Sequence, residues 1–208
     1  MLTGVYIAQA IGTLGCAAAA GGIATLSIAC IPNLTLPARR PANSARAFYE
    51  MPGNLAAHLS HQWLDFYDRG HKIFPTIAGF ASLANMYVFW KLRGTTVAVS
   101  NMANHYLLAA AVAMSIAPWT VLAMLKTNKK LDSYAAFDNK GDAEDAMDAV
   151  HSTEEQSKRS QADNEVPRLL KKWAKLNLVR SIFPLLGAVI SFHATTRIIS
   201  SGSWSQTV

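Results

Sequence analysis

The sequence predicts an all-α membrane protein, a four-transmembrane-helix bundle with a cytosolic interfacial helix between the first and second spans. Three observations predict it. Four apolar stretches, Val5 to Ile31, Ile73 to Phe89, Tyr106 to Leu125 and Leu178 to Ile199, each approach the ~20 residues a helix needs to cross a ~30 Å hydrocarbon core. The lysines and arginines between them fall almost entirely on one side. The segment joining the first two stretches is too polar to span, yet it carries a row of aromatics.

The first stretch lacks a basic n-region and is about twice as long as a signal-peptide core needs to be, so it reads as a retained span. Within it Gly12, Cys16 and Ala20, at i, i+4 and i+8, form a seam for close helix packing, inside the chain or between copies in a homo-oligomer. Next, Gly53 to Tyr67 reads as the interfacial helix, with Asn54 as N-cap after Pro52 and Gly70 as stop. At 100° per residue His58, His61, Gln62 and Asp65 share one face, and Leu55, Leu59, Trp63 and Phe66 lie on the other. Such a helix lies in the interface or packs on the bundle. The second and third stretches contain no charged residue. The fourth places Trp173, Asn177, Arg180, Pro184 and Gly187 along one narrow stripe. Two readings of that stripe stand: a site facing the bundle interior, or Arg180 reaching lipid phosphate while Asn177 caps a neighbouring helix.

Basic residues set the orientation. Arg39, Arg40, Arg46, Arg69 and Lys72 precede the second span, and ten further bases lie between the third and fourth, against only Lys91 and Arg93 between the second and third. The positive-inside rule makes the rich face cytosolic and both termini lumenal, as in the endoplasmic reticulum or another endomembrane. The net charge of +6 is therefore a topology signal, and no nucleic-acid partner is implied. With 208 residues, 51% of them hydrophobic, the chain forms a single membrane domain, residues 1–208. The polar, acidic stretch from about 132 to 165 reads as a flexible cytosolic loop. Its DNKGDAEDAMD run lacks the alternating oxygen ligands of a calcium loop. Cys16 and Cys30 have no CxxC spacing and give no disulfide framework.

Topology gathers the polar groups of the cytosolic side into one candidate pocket: His58, His61, His71, Asn128, Asn177 and Arg180, walled by Trp63, Tyr67 and Trp173. His105 and His193 belong to the opposite side. No haem attachment motif, dinucleotide fingerprint or flavin site is present.

At these residues the sequence resembles the fungal anthrone oxygenases, small four-span proteins of anthraquinone polyketide pathways. The matching segments are SIACIP (Ser27 to Pro32), QWLDFYDRGHKIFP (Gln62 to Pro75), PWTVLAMLKTNKKL (Pro118 to Leu131) and WAKLNLVRSIFPLLG (Trp173 to Gly187). Their order and spacing carry the likeness. The resemblance implies a monooxygenase that inserts one atom of dioxygen at the methylene carbon of an anthrone, giving an anthraquinone, in a lipid bilayer. It needs no cofactor: a base removes an acidic C–H, and the delocalised anion reduces dioxygen. His58 or His61 is then the base, and Arg180 with Asn177 and Asn128 holds the phenolate charge. Trp63, Tyr67 and Trp173 stack on the tricycle, with His71 beside them. The competing account is non-haem iron on His58, His61, Asp65 and His71. The competing function is a non-catalytic four-span scaffold or small transporter, though no internal repeat is visible.

Overall fold

The computed structural model describes residues 2–36, 54–141 and 153–200. The predicted bases at Arg39, Arg40 and Arg46 lie outside the described residues, as does the centre of the acidic stretch. In chain order come α1 (Leu2–Thr25), a π-helical turn (Leu26–Cys30), α2 (Ile31–Leu34), α3 (Asn54–Leu92), α4 (Val97–Met114), α5 (Ile116–Trp119), a second π-helical turn (Thr120–Met124), α6 (Leu125–Gly141) and α7 (Thr153–Ser200). No strand occurs among the described residues. Four helical stretches, Thr3–Leu34, Leu55–Leu92, Val97–Ala136 and Ser157–Ser200, are long and apolar enough to cross a membrane. The fold class is as predicted.

Two boundaries differ from the sequence reading. The helix expected to stop at Gly70 does not stop. One helix of 39 residues runs from Asn54 through Gly70 and Pro75 to Leu92, so the expected interfacial helix and the second span are a single rod. A mid-helix glycine costs only ~1 kcal/mol, and packing offsets it: Gly70 is buried. The stretch from 132 to 165 is also not a loop where it is described. α6 continues to Gly141 and α7 is already helical from Thr153. Its composition is polar, but Leu131, Ala135, Ala162, Val166 and Leu170 are buried. Their i, i+4 spacing gives each helix an apolar seam among charged residues.

The chain divides into two compact units. The first comprises the described residues up to Ala24, His71–Leu122 and those from Leu178 onward. Its interior is rich in small side chains: Cys16, Ala81, Ala113 and Ala188 form one cluster, Ala19 and Ala78 pack with Ile23 and Ile116 in another, and Ala8, Ala103 and Ala194 join Tyr106 and larger aliphatics in a third. The large apolar side chains Leu14, Phe80, Leu83, Leu122 and Phe192 point outward. Small inside and large outside is the arrangement expected where the surroundings are hydrocarbon and close helix approach drives packing. Gly187 shows how close: an added Cβ would lie 3.0 Å from the Ala109 carbonyl oxygen and 3.5 Å from Cys16 Sγ. The Gly12, Cys16 and Ala20 seam is likewise buried within the chain.

The second unit comprises Thr25–Gly70 and Ala123–Asn177, so it holds the first π-helical turn, α2, the N-terminal half of α3, α6 and the first half of α7. Its polar ties join these segments. Lys130 pairs with Glu165, the Tyr134 hydroxyl donates to the same carboxylate at 2.5 Å, and the Asp163 carboxylate accepts the Ala56 backbone N–H at 2.8 Å. That last bond satisfies one of the amide groups that the first turn of α3 leaves open.

Candidate active site

The second unit contains most of the residues singled out by sequence. Trp63 is fully buried and stacks on Tyr67, one turn further along α3, with ring centroids 4.9 Å apart and planes 17° apart. Trp173 of α7 meets Trp63 edge-on at 6.1 Å and 86°. Of the predicted apolar face, Leu59 and Trp63 are buried and Leu55 and Phe66 half-buried, and Ala56 and Ser60 are buried as well. One turn beyond Trp173, Asn177 is 0% exposed and its Nδ2 donates to Ser27 Oγ at 2.9 Å. Asn128 on α6 is buried as well.

Ser27 is the residue the sequence reading assigns no role. It stands in the first π-helical turn, where the ladder admits an extra residue and re-aims the side chains that follow. Such turns recur at functional sites. A lone hydroxyl in the apolar run before Pro32 was the available signal.

Three polar atoms of this cluster are buried without a hydrogen-bond partner: the indole N–H groups of Trp63 and Trp173 and the side-chain carbonyl oxygen of Asn128. Leaving such a group unsatisfied costs ~1–3 kcal/mol, a cost that a core of phenylalanine and leucine would avoid.

The two histidines of α3 keep the face that the helical period gives them. His58 and His61 are half-buried, on the face of α3 that turns away from Trp63. At ~100° per residue they stand about 140° and 160° from Trp63 around the helix axis. His71 is exposed and belongs to the first unit. The alternative iron set fares no better, since no group of three histidine, cysteine or carboxylate side chains among the described residues could hold a metal ion. His58, His61, Asp65 and His71 do not assemble, and no step below passes through a metal.

Arg180 falls in the first unit and is 4% exposed. All five members of the predicted stripe, Trp173, Asn177, Arg180, Pro184 and Gly187, are buried. The stripe therefore faces the interior and not lipid.

Comparison with known proteins identifies the cluster's setting. The model of the family described as anthrone oxygenase matches residues 63–190, from the first of the two tryptophans to three residues past Gly187. The chain belongs to the anthrone oxygenase family. It is thereby an enzyme, a monooxygenase, which sets aside the scaffold and transporter readings. A protein of Claviceps purpurea named anthrone oxygenase is 31% identical over 146 residues, 70% of each chain. An anthrone oxygenase of Aspergillus fumigatus is 29% identical over 142 residues, 68% of this chain and 73% of that one. A noranthrone monooxygenase of Aspergillus flavus is 26% identical over 179 residues, 86% of this chain and 69% of its own. No solved structure gives a significant match. The family match begins at Trp63 and includes Tyr67, Asn128, Trp173 and Asn177, but His58, His61 and Ser27 precede it.

Proposed function

We propose that this protein converts an anthrone to an anthraquinone with dioxygen, and that the second unit's aromatic and amide cluster holds the reacting anion. One oxygen atom enters the methylene carbon, the other leaves as water, and both C–H bonds of that carbon are lost. The carbon is acidic because its anion is a delocalised phenolate. That anion reduces dioxygen by one electron, recombination of the two radicals gives a hydroperoxide, and loss of water gives the quinone.

The observation that carries this reading is the pair of buried indole N–H groups without partners on two tryptophans that meet edge-on. Donors aimed at an oxygen that gains charge stabilise the anion in a dry site far more than water would. Trp63 and Trp173 therefore lower the cost of removing the proton, and their rings with Tyr67 provide the flat apolar contact. The Asn128 oxygen accepts from a hydroxyl on the substrate rim. Ser27 fixes the Asn177 amide, and the resemblance gives the buried Arg180 of the first unit the role of supplying positive charge. His58 and His61, on the other face of α3, take the proton through intervening water rather than by direct contact.

The bilayer setting follows from the four apolar helices, and the basic residues support an endomembrane location with the second unit's loops in the cytosol. The test is direct. Membranes containing the chain, supplied with an anthrone under air, should form quinone at a rate above that of membranes lacking it, followed by visible absorbance. Equal rates would overturn the proposal.

A further inference from the structure

The first unit contains a second polar centre that the oxidation does not use. Two directed hydrogen-bond chains meet there. In one, Gln9 Nε2 donates to the Tyr106 hydroxyl at 2.8 Å, which leaves that hydroxyl's proton for Thr195 Oγ1, also at 2.8 Å, and Thr195 in turn donates to the Ser191 carbonyl oxygen at 2.9 Å. In the other, Ser191 Oγ donates to Asn85 Oδ1 at 2.9 Å, so the Thr13 hydroxyl must be the donor in its 2.9 Å contact with Ser191 Oγ. The chains link α1, α3, α4 and α7.

Their inner ends are open. Gln9 Oε1, an acceptor, and Asn85 Nδ2, a donor, are both buried without a partner, on residues 3% and 0% exposed. Glycine brings them together. The Asn85 amide lies against Gly12, where an added Cβ would come within 2.3 Å of Asn85 Oδ1, and Gly12 is one helical turn from Gln9. One acceptor and one donor on adjoining turns are the complement of a group that both donates and accepts. Among neutral groups small enough for a bundle interior, a hydroxyl does this.

We propose that the first unit binds one hydroxyl group between Gln9 Oε1 and Asn85 Nδ2, supplied by a water molecule or by a phenol. A bound hydroxyl satisfies both open atoms and closes a polar layer through all four helices. A water makes the layer permanent. A phenol makes it a second binding site for a hydroxylated aromatic, inside the apolar unit.

The experiment uses the full chain in perdeuterated detergent with ¹⁵N-labelled asparagine. The Asn85 side-chain amide signal is identified by its disappearance in Asn85→Leu. If water is the ligand, that signal shows a cross-peak to a long-lived water, and Gln9→Met removes the cross-peak. If a phenol is the ligand, the cross-peak is absent, and adding phenol shifts the Asn85 signal saturably in the parent protein but not in Gln9→Met. Gly12→Ala, which pushes the Asn85 amide away without removing a polar group, should abolish whichever response the parent gives. An Asn85 signal that shows neither a water cross-peak nor a phenol shift, or one whose response survives Gln9→Met, overturns the proposal.

Discussion

The proposed site rests on two indole N–H groups and one amide oxygen that are buried without a partner, where a core of phenylalanine and leucine would carry no polar cost. The assignment of the histidines depends on the same residues. Sequence spacing sets His58 and His61 on the face of the helix opposite Trp63, and α3 carries them there, about 140° and 160° from it around the axis. A base in direct contact would lose roughly 10²-fold or more on truncation. Acting through water, His58→Ala and His61→Ala are each expected to lower turnover by less, about 10-fold at most. Turnover measured on the two variants at matched expression checks this, and a larger loss in either would restore the direct base. Arg180 is buried, so its planar fork of donors is held in place rather than left to reach lipid. Arg180→Lys keeps the charge and loses that geometry. It is expected to impair turnover with folded yield retained, and wild-type turnover by the lysine variant would remove Arg180 from the reaction.

At the scale of elements, the four spans were legible in the sequence because hydrocarbon thickness sets their length and composition. The buried faces of α3 and of α7 were legible too, because the helical period fixes which residues share a side. What could not be read was continuity. Gly70 and Pro75 are conventional stop signals, and only the packing of both halves of α3 overrides them. The helical parts of the 132 to 165 stretch were hidden for a similar reason. Composition reports the charged faces, whereas Leu131, Val166 and Leu170 form a thin seam whose partners are distant in sequence. Glu165 reinforces that seam, pairing with Lys130 and accepting from the Tyr134 hydroxyl. Glu165→Gln removes the charge of the pair and is expected to lower the melting temperature by a few degrees at most for so exposed an ion pair. A larger loss on thermal denaturation would show that the carboxylate does more than pair with Lys130.

For the whole molecule, the proposed orientation would put Asn33, Leu34 and Thr35, an acceptor pattern for N-glycosylation, on the cytosolic face. Asn33 is exposed on α2, so access would not protect it, and only the side of the membrane would. Expressed in a eukaryotic host, the chain should run at the same mobility before and after glycosidase treatment. A glycan on Asn33 would reverse the topology. The family match joins these scales, since it runs from Trp63 of the second unit to beyond Gly187 of the first and so covers both the aromatic cluster and the close-packed helices. The central claim is that this chain places an oxygen atom from dioxygen on an anthrone held by its paired tryptophans. Turnover under ¹⁸O₂ tests it most directly, with mass spectrometry of the quinone at early times and membranes lacking the chain as background. Phenylalanine keeps a ring at each tryptophan and removes only the N–H, and loss of one such donor typically costs ~10²–10³-fold. The predicted result is quinone carrying one ¹⁸O atom, formed well above background by the parent chain and reduced at least 10²-fold in the Trp63→Phe, Trp173→Phe double variant. Labelling no faster than background, or undiminished in the double variant, would contradict the account.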